Sequence, residues 1–335
     1  MLFQNAELHN IVELIPDDKA GWLTARLPQD VRSTVNEQAL ATSTWPAGGE
    51  IRFNLQEGKS AKIVLSLKGA SAQGTAVEVY QGCFRTKIEY ITEKPTEITI
   101  THSQTQAELE KLSKEHSLAF DSRLTRLLLP SMQPIRIIGI EGPISPPTPS
   151  QTPRRYLAYG SSITRGGASY RTGGNYAYLT ARHLKADLLN HGYGGGAFME
   201  ESLAKYLANR IQWDFASLEM GINVWTWDVE KYRQTVDTFI RTFTAVRPDT
   251  WIFCIDIFTF RPDLGLKHKD HKGFREALKE VVARINLPKV VHVDGREMMK
   301  DITGLSSDFV HPSDDGHAEL AWNLSTFMRK TMADQ

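Results

Sequence analysis

The sequence contains very little cysteine. Cys83 and Cys254 are its two cysteines, and they lie far apart in stretches of different pattern. Small disulfide-bonded folds and zinc clusters need more cysteines at closer spacing. We therefore expect neither a disulfide framework nor a structural zinc site, so the fold must depend on a hydrophobic core.

The chain also lacks an excess of charge of either sign and any long apolar run. Lysine plus arginine and aspartate plus glutamate both number 39, so the formal net charge is zero. Attraction of nucleic acid or of an anionic membrane by overall charge is therefore not expected. Acidic residues interrupt the first twenty positions, where a secretion signal would be apolar, and no run of ~18 apolar residues occurs. The sequence predicts a soluble, cytoplasmic protein without a membrane partner.

What the chain does have is length and two contrasting patterns. Its 335 residues exceed the ~100–200 typical of one domain, and 41% are hydrophobic, as in ordinary globular proteins. From about residue 44 to 140, short runs alternate apolar and polar residues, with glycines between them. This alternation is typical of antiparallel strands in a β-sandwich of the jelly-roll kind. A polar stretch over 104–116 favours a short connecting helix.

A proline-rich segment separates the two patterns. Its prolines cannot continue a helix or an inner strand; they are Pro143, Pro146, Pro147, Pro149 and Pro153. We place a domain boundary there, which gives an N-terminal β-sandwich domain over 1–150 and a second domain over 151–335. The apolar run 135–140 is predicted to be the strand that docks the first domain on the second.

The second half alternates strands with helices. The clearest helix is predicted over 229–246, where apolar residues recur on one face. Candidate strands are 155–159, 187–190, 215–220, 250–258 and 290–293. This alternation predicts an α/β fold with a parallel sheet between two helical layers, like a flavodoxin, and functional residues just after its strands.

Polar and glycine-rich segments follow the predicted strands. Ser162 lies after the first strand between glycines, Gly195 in the loop after the second, and Asn223 after the third. Asp308 and His311 lie beyond the last strand, ahead of residues suited to cap a terminal helix.

Together these residues supply the parts of a serine esterase. A serine hydroxyl attacks an ester only when an imidazole takes its proton, and the imidazole needs a carboxylate to orient it. Ser162, His311 and Asp308 fit those roles. The backbone N–H groups of Ser162 and Gly195 and the amide of Asn223 are candidate donors to the oxyanion of the tetrahedral intermediate.

The same segments resemble the four sequence blocks of the SGNH, or GDSL-type, hydrolases. The match runs over 154–332, through the GSSIT stretch at 160–164, the glycine loop, the Gly-Ile-Asn at 221–223 and the Asp-x-x-His at 308–311. The run 126–130 and the proline linker resemble the subgroup with an N-terminal β-sandwich, which includes salicylyl-acyltransferase-like proteins and carbohydrate esterases. Ser161 and Val224 stand where the family often has aspartate.

The resemblance implies a serine carboxylic-ester hydrolase without metal or cofactor. We expect a small acyl ester as substrate, with acetyl on a sugar-like alcohol preferred. Trp225 and Trp227 follow Asn223 closely and are the candidate substrate-binding side chains, although packing against a helix explains them nearly as well. Homo-oligomerisation is left open by the sequence.

Several alternatives stay open. The same acyl-enzyme chemistry would serve an acyltransferase, and a β-sandwich could bind carbohydrate beside a silent hydrolase domain. The run 192–197 fits the G-x-G-x-x-A pattern of dinucleotide-binding folds, with Glu219 as the ribose-binding acid. His268 to His271 could bind zinc, but we favour a solvated loop in which Asp270 caps a helix over 271–285.

Overall fold

The computed structural model describes residues 1–18, 21–71, 74–266 and 272–334. Within these ranges the strands form two antiparallel sheets in the N-terminal part and one parallel sheet in the C-terminal part. None of the helices described there is long and apolar enough to span a bilayer.

The N-terminal part consists mainly of strands. Strands β1 to β12 are Leu2–Phe3, Ala6–His9, Glu13–Pro16, Trp22–Ala25, Glu50–Leu55, Ser60–Leu67, Thr75–Gln81, Phe84–Ile91, Thr96–Thr101, Leu124–Leu128, Ile135–Glu141 and Ile144–Ser145. Helices α1 to α3 are Gln29–Arg32, Glu37–Ser43 and Gln106–Glu115. The predicted helix over 104–116 is thus present as α3.

These strands pair as a sandwich. One sheet has the order β1-β2-β5-β10-β7-β8, with β12 also beside β5, and the other has the order β3-β4-β11-β6-β9. Alternate residues of strands from both sheets, such as Ile51 and Phe53 of β5 and Ile63 and Leu65 of β6, are buried in one core between the sheets. The prediction of antiparallel sheets is confirmed. The first four strands, which lie before residue 44, were not predicted.

The C-terminal part alternates strands and helices. Strands β13 to β17 are Arg155–Gly160, Asp187–Gly192, Phe215–Glu219, Trp251–Ile255 and Val290–Val293. Helices α4 to α10 are Ser162–Arg165, Tyr176–His183, Glu201–Asn209, Val229–Val246, Lys272–Ile285, Gly295–Met298 and Asp314–Ala333. The strand predicted over 250–258 ends at Ile255, because its ladder with β17 ends where Ile255 meets Val293; the apolar residues that follow are buried in a loop instead.

All pairs in this sheet are parallel, in the order β14-β13-β15-β16-β17. This is the flavodoxin-like order, and it confirms the predicted α/β architecture. Both faces are covered by helices. Leu157 and Tyr159 of β13 share a core with α6, α7 and α8, whereas Tyr156 and Ala158 share a core with α5 and α10. Burial on both faces explains why these strands are mostly apolar and do not alternate apolar with polar residues.

The two parts pack against each other over buried surface. Leu27, Val31 and Ala39 join the core on the α6 side of the parallel sheet. Arg52 of β5 makes a bidentate ion pair with Asp187 at the start of β14, with N–O distances of 2.8 and 2.5 Å. The expectation that 135–140 docks the parts is wrong: β11 lies inside the sandwich between β4 and β6, where its alternate side chains fill the sandwich core.

Candidate active site

Ser162 lies where strand β13 turns sharply into helix α4. The strand ends at Gly160, Ser161 caps the helix by accepting the Ile163 N–H at 3.1 Å, and Ser162 is the first helical residue. A Cβ on Gly160 would lie 2.2 Å from Thr164 Oγ1. The turn therefore requires glycine at 160, and it presents Ser162 at the carboxyl edge of the sheet.

Glu219, at the end of β15, is hydrogen-bonded to this turn. Its Oε2 accepts the Ser161 N–H at 2.6 Å and the Thr164 hydroxyl at 3.1 Å, while Oε1 has no partner among the described residues. Burial raises the pKa of Glu219, although the hydrogen bonds from Ser161 and Thr164 oppose the shift. The carboxyl group is buried inside the fold, which does not fit the ribose-binding position that the dinucleotide hypothesis needs.

The glycine loop after β14 does not fit that hypothesis either. Gly192 is the last residue of β14, and α6 begins only at Glu201, so the loop does not lead directly into a helix. A Cβ on Gly192 would lie 2.2 Å from the Arg165 backbone nitrogen. Gly192 is therefore explained by close packing of the end of β14 on α4.

His311 and Asp308 lie in a loop before α10 that reaches Ser162. Ser162 Oγ lies 2.7 Å from His311 Nε2, and His311 Nδ1 lies 2.6 Å from Asp308 Oδ2. The loop is closed on itself, since the Ser306 N–H donates to the His311 carbonyl at 2.8 Å. The structure thus brings the three predicted residues together in one hydrogen-bonded chain, with Nδ1 positioned to carry its proton toward the carboxylate.

Asp308 is held ionised by its surroundings. Partial burial alone would raise the pKa of its carboxyl group. Hydrogen bonds from the His311 ring, from the backbone N–H groups of His311 and Val310 and from the Ser306 hydroxyl outweigh burial and hold that pKa well below its usual range. The side chain therefore offers a fixed negative charge to the His311 ring.

Gly195 and Asn223 line the same cavity as Ser162 and His311. Gly195 has a φ of +71°, in the left-handed region that favours glycine. Asn223 Oδ1 accepts the Ala197 N–H at 3.0 Å. Because this bond fixes the amide oxygen, the Asn223 NH2 group is the part of the side chain left to donate into the cavity. The predicted oxyanion donors are thus grouped beside the serine.

The structure separates the two candidate tryptophans. Trp225 lines the cavity and packs edge-on against Phe260, with ring centroids 5.8 Å apart. Trp227 does not line it. Its ring packs against Phe198 at 5.5 Å and carries the Lys231 ammonium 4.1 Å above its centroid. The substrate-binding expectation for Trp227 is therefore corrected to packing against the start of α7.

The N-terminal part supports the glycine loop from outside. Asn36, the cap of α2, donates to the Gly196 carbonyl at 2.9 Å, and a Cβ on Gly196 would lie 2.4 Å from the Ala39 backbone nitrogen. Gln38 lies next to Gly195. Sequence reasoning predicted that the N-terminal domain shapes one wall of the site, but it relied on the run 135–140. It missed residues 36–39, since no local pattern relates them to a loop more than 150 positions away.

Metal binding finds no support in the described part of the chain. No group of three or more His, Cys, Asp or Glu side chains is arranged there to hold an ion. The His268 to His271 segment lies outside the described residues.

The region that carries this site matches a known protein family. Residues 158–319 match the model of the GDSL-like lipase/acylhydrolase family. This region is a GDSL-like acylhydrolase domain. The match confirms the resemblance drawn from the four sequence blocks, and the acylhydrolase domain contains all of the residues predicted for catalysis. No curated protein matches the chain in sequence.

Solved structures share the fold of the acylhydrolase domain together with the N-terminal part. The salicylyl-acyltransferase SsfX3 from a tetracycline biosynthetic pathway is 15% identical, with a TM-score of 0.76 over 99% of this chain and 95% of that one. A family two carbohydrate esterase from Clostridium thermocellum, in complex with cellohexaose, is 15% identical, with a TM-score of 0.61 over 98% and 99%. An acetyl xylan esterase from the rumen bacterium Butyrivibrio proteoclasticus is 14% identical, with a TM-score of 0.59 over 99% and 96%.

Proposed function

We propose that the chain is a serine esterase that removes short acyl groups, acetyl above all, from carbohydrate-like alcohols. The observation that carries the proposal is the continuous contact from Ser162 Oγ to His311 Nε2 and from Nδ1 to Asp308, at 2.7 and 2.6 Å. A serine within hydrogen-bond reach of an imidazole that is itself oriented by a carboxylate is the arrangement that nucleophilic acyl chemistry needs.

The reaction proceeds in two halves. Ser162 attacks the ester carbonyl as His311 takes its proton, and the Asp308 carboxylate stabilises the imidazolium. The oxyanion receives hydrogen bonds from the Ser162 and Gly195 N–H groups and from Asn223, and His311 then returns the proton to the departing alcohol. Water, activated by the same imidazole, releases the acid from the acyl-enzyme and regenerates Ser162.

Substrate size and type are argued from the cavity. It measures about 410 Å³ and is bordered by Trp225, whose ring offers a flat apolar face suited to a sugar ring. The carbohydrate esterases among the structures of similar fold support the same substrate class. Acyl transfer is the second candidate, because an alcohol in place of water would complete the same acyl-enzyme chemistry.

Hydrolysis of acetyl, butyryl and octanoyl esters of one alcohol, and of acetylated sugars, tests the proposal. Ser162→Ala should abolish turnover with the fold intact, whereas Ser161→Ala, which removes a helix cap, should lower stability by about 1 kcal/mol and keep activity. Activity retained in Ser162→Ala would refute the assignment, and preference for octanoyl would refute the short-acyl claim. Transfer products formed with added alcohols would favour the acyltransferase.

A further inference from the structure

Arg165 occupies an unusual place beside the nucleophile. It is the last residue of α4, three positions after Ser162, and its side chain lines the same cavity while the residue as a whole is only 6% exposed. A guanidinium carries five N–H donors, and when buried it normally has carboxylate or carbonyl acceptors.

No acceptor is found among the residues that the structure describes. Arg165 Nε is fully buried without a hydrogen-bond partner, and no described carboxylate lies within ion-pair distance of the guanidinium. Arg26, its buried neighbour, differs: it donates to the carbonyls of Trp45, Asn190, Thr42 and Gly192 at 2.7 to 3.0 Å. The fold thus supplies acceptors for the Arg26 guanidinium, whereas no described residue supplies one for that of Arg165.

Packing holds the Arg165 guanidinium in place, but the described residues supply no hydrogen-bond acceptor for its N–H groups. The Trp45 ring stacks with it, 4.4 Å from centroid to Cζ. Gly194 passes so close that a Cβ there would lie 2.6 to 2.8 Å from the guanidinium atoms. A planar cation stacked on an aromatic face keeps its N–H edge free for a ligand. Both neighbours therefore favour a fixed position for the group at the cavity wall.

The cavity around it is positively charged. Arg261 is the second cationic side chain in its lining, which holds no aspartate or glutamate among the described residues. Burial and the nearby Arg26 lower the pKa of Arg165 to about 10, so the group is still protonated at neutral pH. A buried cation without a counter-ion destabilises the free protein, and an anion entering the cavity would relieve that cost.

We propose that Arg165 binds a carboxylate carried by the ester substrate, in the cavity that holds Ser162. The inference rests on the esterase function proposed above and narrows its substrate class. The carboxylate belongs either to the acyl group, as in a dicarboxylic half-ester, or to the alcohol, as in a sugar acid. In both cases the fork of guanidinium donors matches the two carboxylate oxygens.

Two matched ester pairs distinguish these sources. The first pair is the succinyl and the butyryl ester of one neutral alcohol, which differ by a carboxylate on the acyl group. The second pair is acetylated glucuronate and acetylated glucose, which differ by a carboxylate on the alcohol. The wild-type enzyme should prefer the charged member of one pair in kcat/KM. Arg165→Gln should lower that preference by about 10- to 100-fold, the usual effect of losing a hydrogen bond to a charged group.

Arg247→Gln is the matched control. Arg247 also stacks on a tryptophan, 4.5 Å from the Trp213 centroid, but it donates to backbone carbonyls and lies outside the cavity. Its substitution should leave the charged-to-neutral ratio unchanged. The proposal would be overturned if Arg165→Gln left the charged-to-neutral ratio of kcat/KM unchanged in both ester pairs. It would also be overturned if Arg247→Gln lowered that ratio as much as Arg165→Gln does.

Binding without turnover separates this proposal from the esterase assignment. Calorimetry on Ser162→Ala should show succinate or glucuronate bound more tightly than its neutral amide, and adding Arg165→Gln should remove that preference. If Arg165→Gln does not fold, Arg165→Lys, which keeps the charge, replaces it and should retain part of the preference. If the chain binds carboxylates selectively but hydrolyses no ester, the anion site is supported and the esterase function is refuted. If it hydrolyses esters without selectivity for a carboxylate, the esterase function is supported and the anion site is refuted.

Discussion

Gly167 packs against the ring of His311 so tightly that a Cβ at position 167 would lie 2.8 Å from His311 Cδ2. The Gly167 N–H also donates to the Ser162 carbonyl at 2.7 Å. One glycine thus contacts both the turn that carries the proposed nucleophile and the imidazole opposite it. The absence of a side chain there sets how near the ring can approach Ser162 Oγ.

We predict that Gly167→Ala lowers kcat by about 10- to 100-fold, because displacing the ring by part of an ångström spoils its alignment with Ser162. Steady-state kinetics on an acetyl ester measures the effect. Gly139→Ala is the control, since a Cβ at 139 would meet no atom of the described residues within 4 Å. If Gly167→Ala is as active as Gly139→Ala, the ring has room to move and its position is not set by this contact.

Asp308→Asn should lower kcat by about 10⁴-fold, because an amide neither stabilises the imidazolium nor fixes the tautomer of His311. The pKa of Asp308 is held well below its usual range, so the carboxylate stays ionised as the pH falls through the acid range. Its contribution to stability is present above about pH 4 and is lost only in stronger acid. Protonation of Asp308 therefore accounts for no loss of activity at mildly acidic pH. Steady-state kinetics on an acetyl ester measures the effect of the substitution, and a kcat of Asp308→Asn close to that of the wild type would contradict the role given to this carboxylate.

Asn223→Ala is expected to lower kcat by about 10²- to 10³-fold with a smaller change in KM, since an oxyanion donor acts mainly in the transition state. Asn209→Ala is the control, because Asn209 is exposed and, within the described part of the chain, its side chain donates to the Lys205 carbonyl alone, at 2.8 Å. A rise in KM alone would mean that Asn223 binds the ground state of the substrate.

Periodicity predicted the parallel sheet well because each of its strands is short, apolar and followed by a loop or helix. The N-terminal strands before residue 44 were missed for a physical reason. Strands β1 to β4 have two to four residues each, and beyond the local pairs β1–β2 and β3–β4 their partners are distant: β2 lies beside β5, and β4 beside β11. Four residues carry too little alternation to be distinguished from a loop.

The candidate site was predictable where reactive residue types follow a strand end, as for Ser162, or precede the capped start of the last helix, as for Asp308 and His311. It was not predictable where a loop decides which way a side chain points. Trp225 and Trp227 are two positions apart in a turn, and only one of them lines the cavity. The stacking of Trp45 on Arg165 joins residues 120 positions apart, so no local pattern could reveal it.

Residues 151–335 alone should be poorly soluble or altered in substrate preference. Removing the N-terminal part would expose the apolar surface that Leu27, Val31 and Ala39 cover, and it would leave the buried Asp187 without its partner Arg52. It would also release the glycine loop from α2. Solubility and kcat/KM of this segment against the full chain measure the effect. Full solubility with unchanged kinetics would show that the N-terminal part neither shapes nor supports the site.

His317, buried behind Gly167, should make stability fall in mild acid. Its Nδ1 accepts the Tyr176 N–H at 3.2 Å and its Nε2 donates to the Gly167 carbonyl at 3.0 Å, so the ring fits only when neutral. Burial lowers the pKa of His317 to about 4, although the bond to Gly167 opposes the shift. In the unfolded chain the pKa is about 6.5. Between these values the unfolded state binds a proton that the folded state does not.

The free energy of unfolding should therefore drop as the pH falls from about 6.5 to 4, by up to about 1.4 kcal/mol per pH unit from this residue, whereas above pH 6.5 His317 makes no pH-dependent contribution. Urea unfolding of the wild type and of His317→Gln at several pH values isolates the effect, because other buried histidines titrate alike in both proteins and cancel in the difference. The wild type should lose stability relative to the variant as the pH is lowered. A difference that stays constant from pH 7.5 to 4.5 would mean that the folded protein accommodates a charged His317, and that the wall behind Gly167 is more open to water than these contacts indicate.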